Sequence, residues 1–486
     1  MPDTMRVGLL SLLLVCGCSV GPDYVRPKPP QGGRYTQQEM PASTAAADGQ
    51  VQHFEPGAKI AADWWHLFNS GQIDSLVKEA IADNPNLQAA QANLRQSQEN
   101  LRAGYGVFYP QINAGAGASR EKFSGASFGQ SSTSSVFNLF TLNATVSYAL
   151  DVFGGERRAV EGLAAQVDYQ RYAALGTYLT LSGNIVNTVI ARAAYAAQIR
   201  ATEQLIGLEK DQQHVTQAQV TAGTVPYSTL LSVQSQLAAT EATLPPLRQR
   251  MDEAEHLLAS LTGHLPADRA LPEMDLAELT LPADLPITLP SELVRQRPDI
   301  LASEAQLHSA SANIGVATAA MFPSFTLSGS FGQASNTGSA FLQSGGTVWS
   351  LGADVTAPLF RGGTLWHQRK AAIQAYQAAL ANYRQSVLSA FEQVADTLRA
   401  LQHDAETVDA QSRAMGAAAG ALKLVQANYQ AGLANYLQVL VADAQYHQAS
   451  IAYLQARAQR FQDTVALFVA LGGGWWSEDR GIADRK

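Results

Sequence analysis

Four stretches of the chain alternate apolar and polar residues, the pattern of a strand with one apolar and one polar face. In the longest, apolar side chains occupy every second position from Phe140 to Val152, with mainly Thr, Asn and Ser between them. The alternation predicts strands at four places: about 111–122, 137–152, 324–332 and 347–359. Ser- and Gly-rich loops join them as two hairpins: 123–136 and 333–346. Hairpins on a soluble core would show this pattern, and so would the wall of a membrane barrel around water.

Two long segments, 156–222 and 364–431, are rich in Ala, Gln and Leu and contain no proline. At 1.5 Å per residue, about 67 residues form a helix of roughly 100 Å, much longer than the three or four turns of an average helix. Each segment ends at a glycine that suits a left-handed C-cap, Gly223 or Gly432. A residue that suits the start of a returning helix follows each glycine: Pro226 and Asn435. The pattern predicts two helical hairpins packed as coiled coils.

The two halves of the chain carry the same landmarks in the same order, which indicates an internal duplication. Residues 84–110 align without a gap with 297–323, so that Pro110 and Pro323 each precede the first strand of a half. The predicted organisation is a cleaved signal peptide, a lipidated linker, a first repeat, a Pro-rich connector, a second repeat and a tail: 1–17, 18–62, 63–263, 264–290, 291–473 and 474–486.

The only two cysteines stand two positions apart, at the end of an apolar run near the N-terminus. The run at 7–15 is too short for a permanent membrane span and has the layout of a secretory signal peptide. Val15-Cys16-Gly17-Cys18 resembles a bacterial lipobox, in which Cys18 is diacylated and becomes the mature N-terminus. A redox C-x-C pair and an ordinary cleaved signal are the alternatives. After residue 17 no apolar run approaches the roughly 20 residues of a transmembrane helix.

Charge and motifs exclude several functions. The net charge of −8 is spread without long runs of like charge, which argues against a nucleic-acid partner. The nine histidines are scattered, and no H-E-x-x-H or C-x-x-C pattern indicates a metal or cofactor site. Residues 125–129 fit the G-x-S-x-G nucleophile motif, but they lie in a loop rather than at a strand-to-helix turn. We therefore expect no enzyme activity and no cofactor. The Trp64-Trp65 and Trp475-Trp476 pairs are expected to pack the helical region.

With these features in view, nearly all of the mature chain resembles the TolC/OprM-like outer membrane factor family, in its NodT-type lipoprotein branch. Four blocks carry the resemblance: CSVGPDYVRP (18–27), ADWWHLFNSGQIDSLVKEAIADNPNLQAA (62–90), RQRPDILASEAQLHSASANIGVATAAMFPSFTLSGSFG (295–332) and LFRGGTLWHQRKAAIQAYQAALANYRQSV (359–387). The resemblance implies an α+β membrane protein: a homotrimer with a 12-stranded outer-membrane β-barrel, four strands per chain, continued by an α-helical coiled-coil tunnel in the periplasm. It also implies a periplasmic adaptor protein and an inner-membrane resistance–nodulation–division (RND) pump as partners.

The expected function is a passive exit duct for drugs or other small toxic compounds, lipid-anchored in the outer membrane. A channel for type I protein secretion and a lipid-anchored coiled coil without a pore are the alternatives. Barrel geometry also favours a sheet that is built from the strands of several chains, because the smallest barrels need about eight strands. In lipid, a sheet of four strands would also leave two unpaired edges. The acyl chains on Cys18 would be a second attachment to the bilayer.

By the same resemblance, the two turns at 221–227 and 430–436 form the periplasmic tip. The adaptor would dock on their exposed backbone and small side chains: Gly223, Thr224, Val225, Gly432, Leu433 and Ala434. A purely structural C-cap role for the two glycines is the alternative.

Many members of the family close this tip with a ring of aspartates a few residues beyond the second glycine. Here the first acid after Gly432 is Asp443, about 16 Å further along the helix. We therefore expect a neutral constriction lined by Gln438 and Val441, with Tyr436 near them, closed by packing and dewetting. The alternative is that these side chains simply pack the coiled coil.

Overall fold

A computed structural model describes residues 19–29, 34–124, 134–268, 271, 273–339 and 344–478. Its strands are β1 (His53–Pro56), β2 (Gln111–Ser124), β3 (Ser134–Leu150), β4 (Asp284–Ile287), β5 (Ser324–Ser335) and β6 (Thr347–Thr356). Its α-helices are α1 (Gly71–Asp83), α2 (Pro85–Gly104), α3 (Gly155–Thr221), α4 (Tyr227–Glu241), α5 (Leu244–Leu261), α6 (Pro290–Gln296), α7 (Pro298–Ala319), α8 (Thr364–Gln430) and α9 (Tyr436–Ala470). The signal segment, Cys18 and the loop motif at 125–129 lie outside the described residues.

The chain divides into two compact units. The first, which we call the sheet unit, comprises Met1–Pro27, Asn93–Arg171 and Ala302–Arg384. The second, which we call the helical unit, comprises Lys28–Ala92, Tyr172–Leu301 and Gln385–Lys486. Within the described part of the chain, no helix has both the length and the apolar character needed to cross a membrane.

The sheet unit contains one antiparallel sheet in the order β2-β3-β5-β6. Residues directly opposite each other on neighbouring strands share a face. Ile112 pairs with Val146, which pairs with Gly329, which pairs with Leu351. The same register aligns the other apolar positions of the four strands. The result is an amphipathic sheet whose opposite face carries mainly Ser, Thr, Asn and Gly.

β6 ends at Thr356, three residues before the end that the alternation predicts. Pro358 lies in the missing part, and proline has no N–H to donate to a neighbouring strand. β3 begins at Ser134, earlier than predicted, because its Ser-rich start pairs with the end of β2. The end of β6 and the start of β3 are therefore set by hydrogen bonding to the neighbouring strands, which side-chain alternation does not show.

The two long helices, α3 and α8, contain 67 residues each, which corresponds to about 100 Å. The absence of proline and the abundance of alanine allow this length. At the start of α3, the Asp151 carboxylate accepts hydrogen bonds from the backbone N–H groups of Glu156 (3.1 Å) and Arg157 (2.9 Å). These are N–H groups that an isolated helix leaves unsatisfied, so Asp151 stabilises the helix end.

Aromatic side chains fill the core of the helical unit. Trp64 stacks on Phe468 at 5.3 Å between ring centroids, and Trp65 packs edge-on against Tyr178. Trp475 donates a hydrogen bond from Nε1 to the Gln296 carbonyl, 2.8 Å away. The tryptophan pairs therefore pack the helices together, as the sequence suggested. β4, which lies in the Pro-rich connector, forms a short parallel pair with β1.

In the sheet unit, residues 19–27 are held by a chain of contacts. The Val20 N–H donates to the carbonyl of Phe153 (3.0 Å), which lies between β3 and α3. Arg158 of α3 forms an ion pair with Asp23, and Tyr24 stacks on His308 at 4.3 Å. The first described residues after Cys18 therefore lie beside the junction of β3 and α3.

Candidate functional site

The turn between α3 and α4 is a Schellman motif, a C-cap closed by two backbone hydrogen bonds. Gly223 has φ +72°, a left-handed conformation that is open to glycine without strain. Its N–H donates to the Val220 carbonyl (2.9 Å), and the Thr224 N–H donates to the Gln219 carbonyl (2.9 Å). Pro226 then opens α4 as its N-cap.

The turn between α8 and α9 has the same geometry. Gly432 has φ +75°, its N–H donates to the Tyr429 carbonyl (3.0 Å), and the Leu433 N–H donates to the Asn428 carbonyl (2.8 Å). α9 begins with a capping box, in which the Asn435 side chain accepts from the Gln438 N–H and the Gln438 side chain accepts from the Asn435 N–H, both at 3.1 Å. Both helix ends are thus closed by backbone hydrogen bonds, and the capping box adds two more at the start of α9.

The surfaces of the two turns are neutral and open. A Cβ added at Gly223 or Gly432 would meet no atom within 4 Å. Thr224 and Leu433 are exposed, whereas Val225 and Ala434 are half-buried. Leu433 follows its glycine, and the residue that faces it in the motif is the polar Asn428, to whose carbonyl its N–H is bonded. The turns therefore present open backbone together with a few exposed side chains: Thr224, Tyr227 and Leu433.

Tyr436 lies inside the hairpin and not on its surface. It packs with Val233, Val439 and Leu440, and its ring stands edge-on to Tyr429 at 5.6 Å. Burial raises the pKa of its hydroxyl, and the nearby carboxyl of Asp443 adds to the shift. This geometry makes Tyr436 a packing residue behind the surface that Gln438 and Val441 present.

A shallow groove of about 470 Å³ runs between α4 and α9. Its lining is uncharged: Leu231, Ser232, Ser235, Gln236, Leu437, Leu440, Val441 and Ala444. Val441 is 49 % exposed there, and it lies one turn from Leu437, which follows Leu433 at the same spacing. Gln438 is also exposed, although its side-chain oxygen is used by the capping box. The exposed side of α9 near the turn is therefore apolar or neutral.

Asp443 is buried, with 8 % of its surface exposed. Burial, followed by the charge of Glu209, raises the pKa of Asp443 to about 6. Glu209 lies on α3, where its carboxylate accepts a hydrogen bond from the Thr240 hydroxyl at 3.0 Å. Glu209 could not be recognised from the sequence, because it stands in a polar stretch in which nothing distinguishes a buried acid from its exposed neighbours. Only the packing of α3 against α4 and α9 shows it.

The described residues bring together no group of three or more His, Cys, Asp or Glu side chains that could hold a metal ion. The remaining chemistry of the two turns is that of a neutral, rigid helix end with two buried carboxyl groups behind it.

Comparison with known proteins identifies the family to which this architecture belongs. The family described as outer membrane efflux protein matches residues 76–264 and 289–473. The chain is 32 % identical over 453 residues to the pyoverdine export outer membrane protein OpmQ of Pseudomonas aeruginosa, covering 91 % of this chain and 94 % of that protein. It is 28 % identical to the cation efflux system protein CusC of Escherichia coli, covering 95 % of this chain and 97 % of that one.

Among solved structures, the outer-membrane channel OprN superposes with a TM-score of 0.84 and 27 % sequence identity. The superposition covers 94 % of this chain and all of OprN. The two matched segments take in α3 to α5 and α7 to α9, and so include both Schellman turns. The chain therefore belongs to the outer membrane efflux protein family and is an efflux channel of the Gram-negative outer membrane.

Proposed function

We propose that three copies of this chain form a passive exit duct of a tripartite efflux system. Their strands would form a 12-stranded barrel in the outer membrane, and their long helices a tunnel through the periplasm. An inner-membrane RND pump and a periplasmic adaptor would deliver the exported compound to the tunnel. The division into efflux repeats at 63–263 and 291–473 belongs to this proposal, supported by two helices of 67 residues that end in the same turn.

The exposed apolar face of the sheet is the main observation that supports the proposed barrel. Leu351 is 82 % exposed in the single chain, and Ile112, Phe331 and Trp349 on the same face are also exposed. The apolar positions of β3 from Phe140 to Leu150 span roughly 34 Å along the strand. At a strand tilt of about 45° this band is about 25 Å tall, the height of the apolar band of outer-membrane barrels.

The two edges of the sheet support the assembly of several copies. Within the described residues, β2 and β6 each pair on one side only. In hydrocarbon, each unpaired N–H or C=O group costs several kcal/mol. Three copies joined edge to edge would leave no free edge and would reach 12 strands. Native mass spectrometry of the detergent-solubilised protein tests this, because a folded monomer or dimer would contradict the proposal.

The position of residues 19–27 supports a lipid on Cys18. Val20 is bonded to Phe153, between β3 and the first turn of α3. In the proposed barrel this junction lies at the periplasmic edge of the membrane, where acyl chains on Cys18 would enter the inner leaflet. The lipid would thus be a second anchor beside the strands.

We place the adaptor contact at the two Schellman turns and the aperture at the adjacent surface of α9. Gln438 and Val441 would line the aperture, with Tyr436 packed behind them and Asp443 out of reach of the lumen. Such a constriction closes by packing and dewetting and does not select cations. In single-channel recordings, Asp443→Asn should therefore leave ion selectivity unchanged. Strong cation selectivity that disappears in Asp443→Asn would contradict the neutral aperture.

The exported compound is proposed to be a small organic molecule. OpmQ is named for pyoverdine export and CusC for cation efflux, so relatives of this chain serve both classes. A neutral aperture offers no ring of charge to concentrate metal cations, which favours the organic class. Growth of a deletion strain carrying this chain, with panels of organic toxicants and of metal salts, tests the assignment. Protection against metal salts alone would overturn it.

A further inference from the structure

Two buried carboxyl groups lie behind the proposed aperture and take no part in it. Glu209 on α3 is 3 % exposed and Asp443 on α9 is 8 % exposed. One oxygen of Glu209, Oε1, accepts the Thr240 hydroxyl of α4. The other, Oε2, is buried and forms no hydrogen bond of normal geometry within the described residues, although the Gln236 side chain of α4 lies close enough to the carboxylate to favour its charged form. Three helices that meet at the tip therefore enclose an acid whose hydrogen bonding is incomplete.

The groups around the pair do not neutralise it. Glu241 of α4 adds negative charge near Glu209, and the ammonium group of Lys210 is taken by Glu241 at 3.0 Å. Tyr436 of α9 lies near both acids, and burial raises the pKa of its hydroxyl; Tyr429 of α8 packs against the Tyr436 ring. One turn beyond Asp443, burial lowers the pKa of His447, which favours its neutral form. Within the described residues, neither Glu209 nor Asp443 forms an ion pair with a basic side chain.

Two carboxylates in such a site are costly when both are ionised, because burial removes water and each charge repels the other. Burial raises the pKa of Glu209, and burial together with the Glu209 charge raises the pKa of Asp443 to about 6. A carboxyl group with a raised pKa stabilises the packed state when it is protonated. That stabilisation is complete in acid and is lost as the pH rises through about 6.

We propose that Glu209 and Asp443 form a proton-operated lock on the helix ends that carry the aperture. When the pair takes up a proton, α3, α4 and α9 pack tightly and hold the tip closed. When the proton leaves, the repulsion of two buried charges weakens this packing and frees the start of α9 to move. That this lock controls opening rests on the function proposed for the tip. The effect of the proton on helix packing does not depend on that function.

Hydrogen exchange of the full-length lipidated protein in detergent tests the lock directly. After correction for intrinsic exchange rates, amide protection at the start of α9 should be roughly tenfold greater at about pH 5 than at about pH 7.5. Asp443→Asn and Glu209→Gln each remove one of the two charges, so each should narrow the difference in protection between the two pH values. Asp409→Asn removes an acid of an exposed ion pair on α8 and should behave like the wild-type chain.

The outcomes separate the lock from the function proposed for the tip. Protection that does not change with pH in the wild-type chain overturns the lock. A pH dependence that persists unchanged in both Asp443→Asn and Glu209→Gln also overturns it. Planar-bilayer currents are recorded on the same proteins, and open probability should rise with pH more steeply in the wild-type chain than in either variant. Protection that depends on pH without any change in current would support the lock and contradict the placement of the aperture at this tip.

Discussion

Gly432→Ala is expected to loosen the second turn without creating a clash. Gly432 has φ +75°, and an added Cβ meets no atom within 4 Å. The cost is therefore the left-handed backbone conformation alone, about 1–2 kcal/mol for alanine. This energy corresponds to roughly 5- to 30-fold more frequent opening of the turn.

Two further variants show whether the reasoning holds. Asparagine adopts the left-handed conformation more readily than alanine, so Gly432→Asn should open less often than Gly432→Ala although its side chain is larger. Gly207→Ala is the control, because Gly207 lies inside α3 and an added Cβ there also meets nothing within 4 Å. It should stabilise the helix by about 1 kcal/mol.

Hydrogen exchange of the peptide that spans the turn measures these differences, and export by intact cells is followed in parallel. Equal exchange in Gly432→Ala and Gly432→Asn would refute the argument from backbone conformation. If Gly432→Asn keeps the turn closed but export is lost, the bare backbone is needed for docking. If export follows the stability of the turn, the glycine acts only as a C-cap.

Three other predictions follow from the fold and the proposed assembly. Cys18→Ala should remove the lipid from the mature N-terminus, as mass spectrometry would show; acylation found on another residue would contradict the assignment. Trp64→Ala removes a ring that is 1 % exposed and stacked on Phe468, and should cost about 3–5 kcal/mol; an unchanged midpoint of thermal unfolding would contradict this. Leu351→Lys should destabilise the inserted barrel by about 2–4 kcal/mol, measured by urea unfolding in bilayers, whereas Ser350→Lys on the opposite face should have little effect; equal effects would contradict the assignment of the faces.

The sequence by itself determined the elements whose causes are local. Alternation with a period of two identifies which side chains of β3 share a face, since neighbouring residues of a strand point to opposite sides. The ends of the long helices follow from Gly223 and Gly432, because few other residues adopt positive φ without strain. Cysteine spacing and the family blocks then pointed to the outer membrane.

Only the tertiary structure decided which distant residues meet. The sheet register that aligns Ile112, Val146 and Leu351 depends on the pairing of β3 with β5, whose paired residues, such as Val146 and Gly329, lie far apart in the chain. Tyr436, expected near the aperture surface, is buried because α4 supplies Val233 against it. The pairing of Glu209 with Asp443 had no signal in the sequence, since the burial of an acid is set by the neighbours that exclude water from it and not by its own position in the chain.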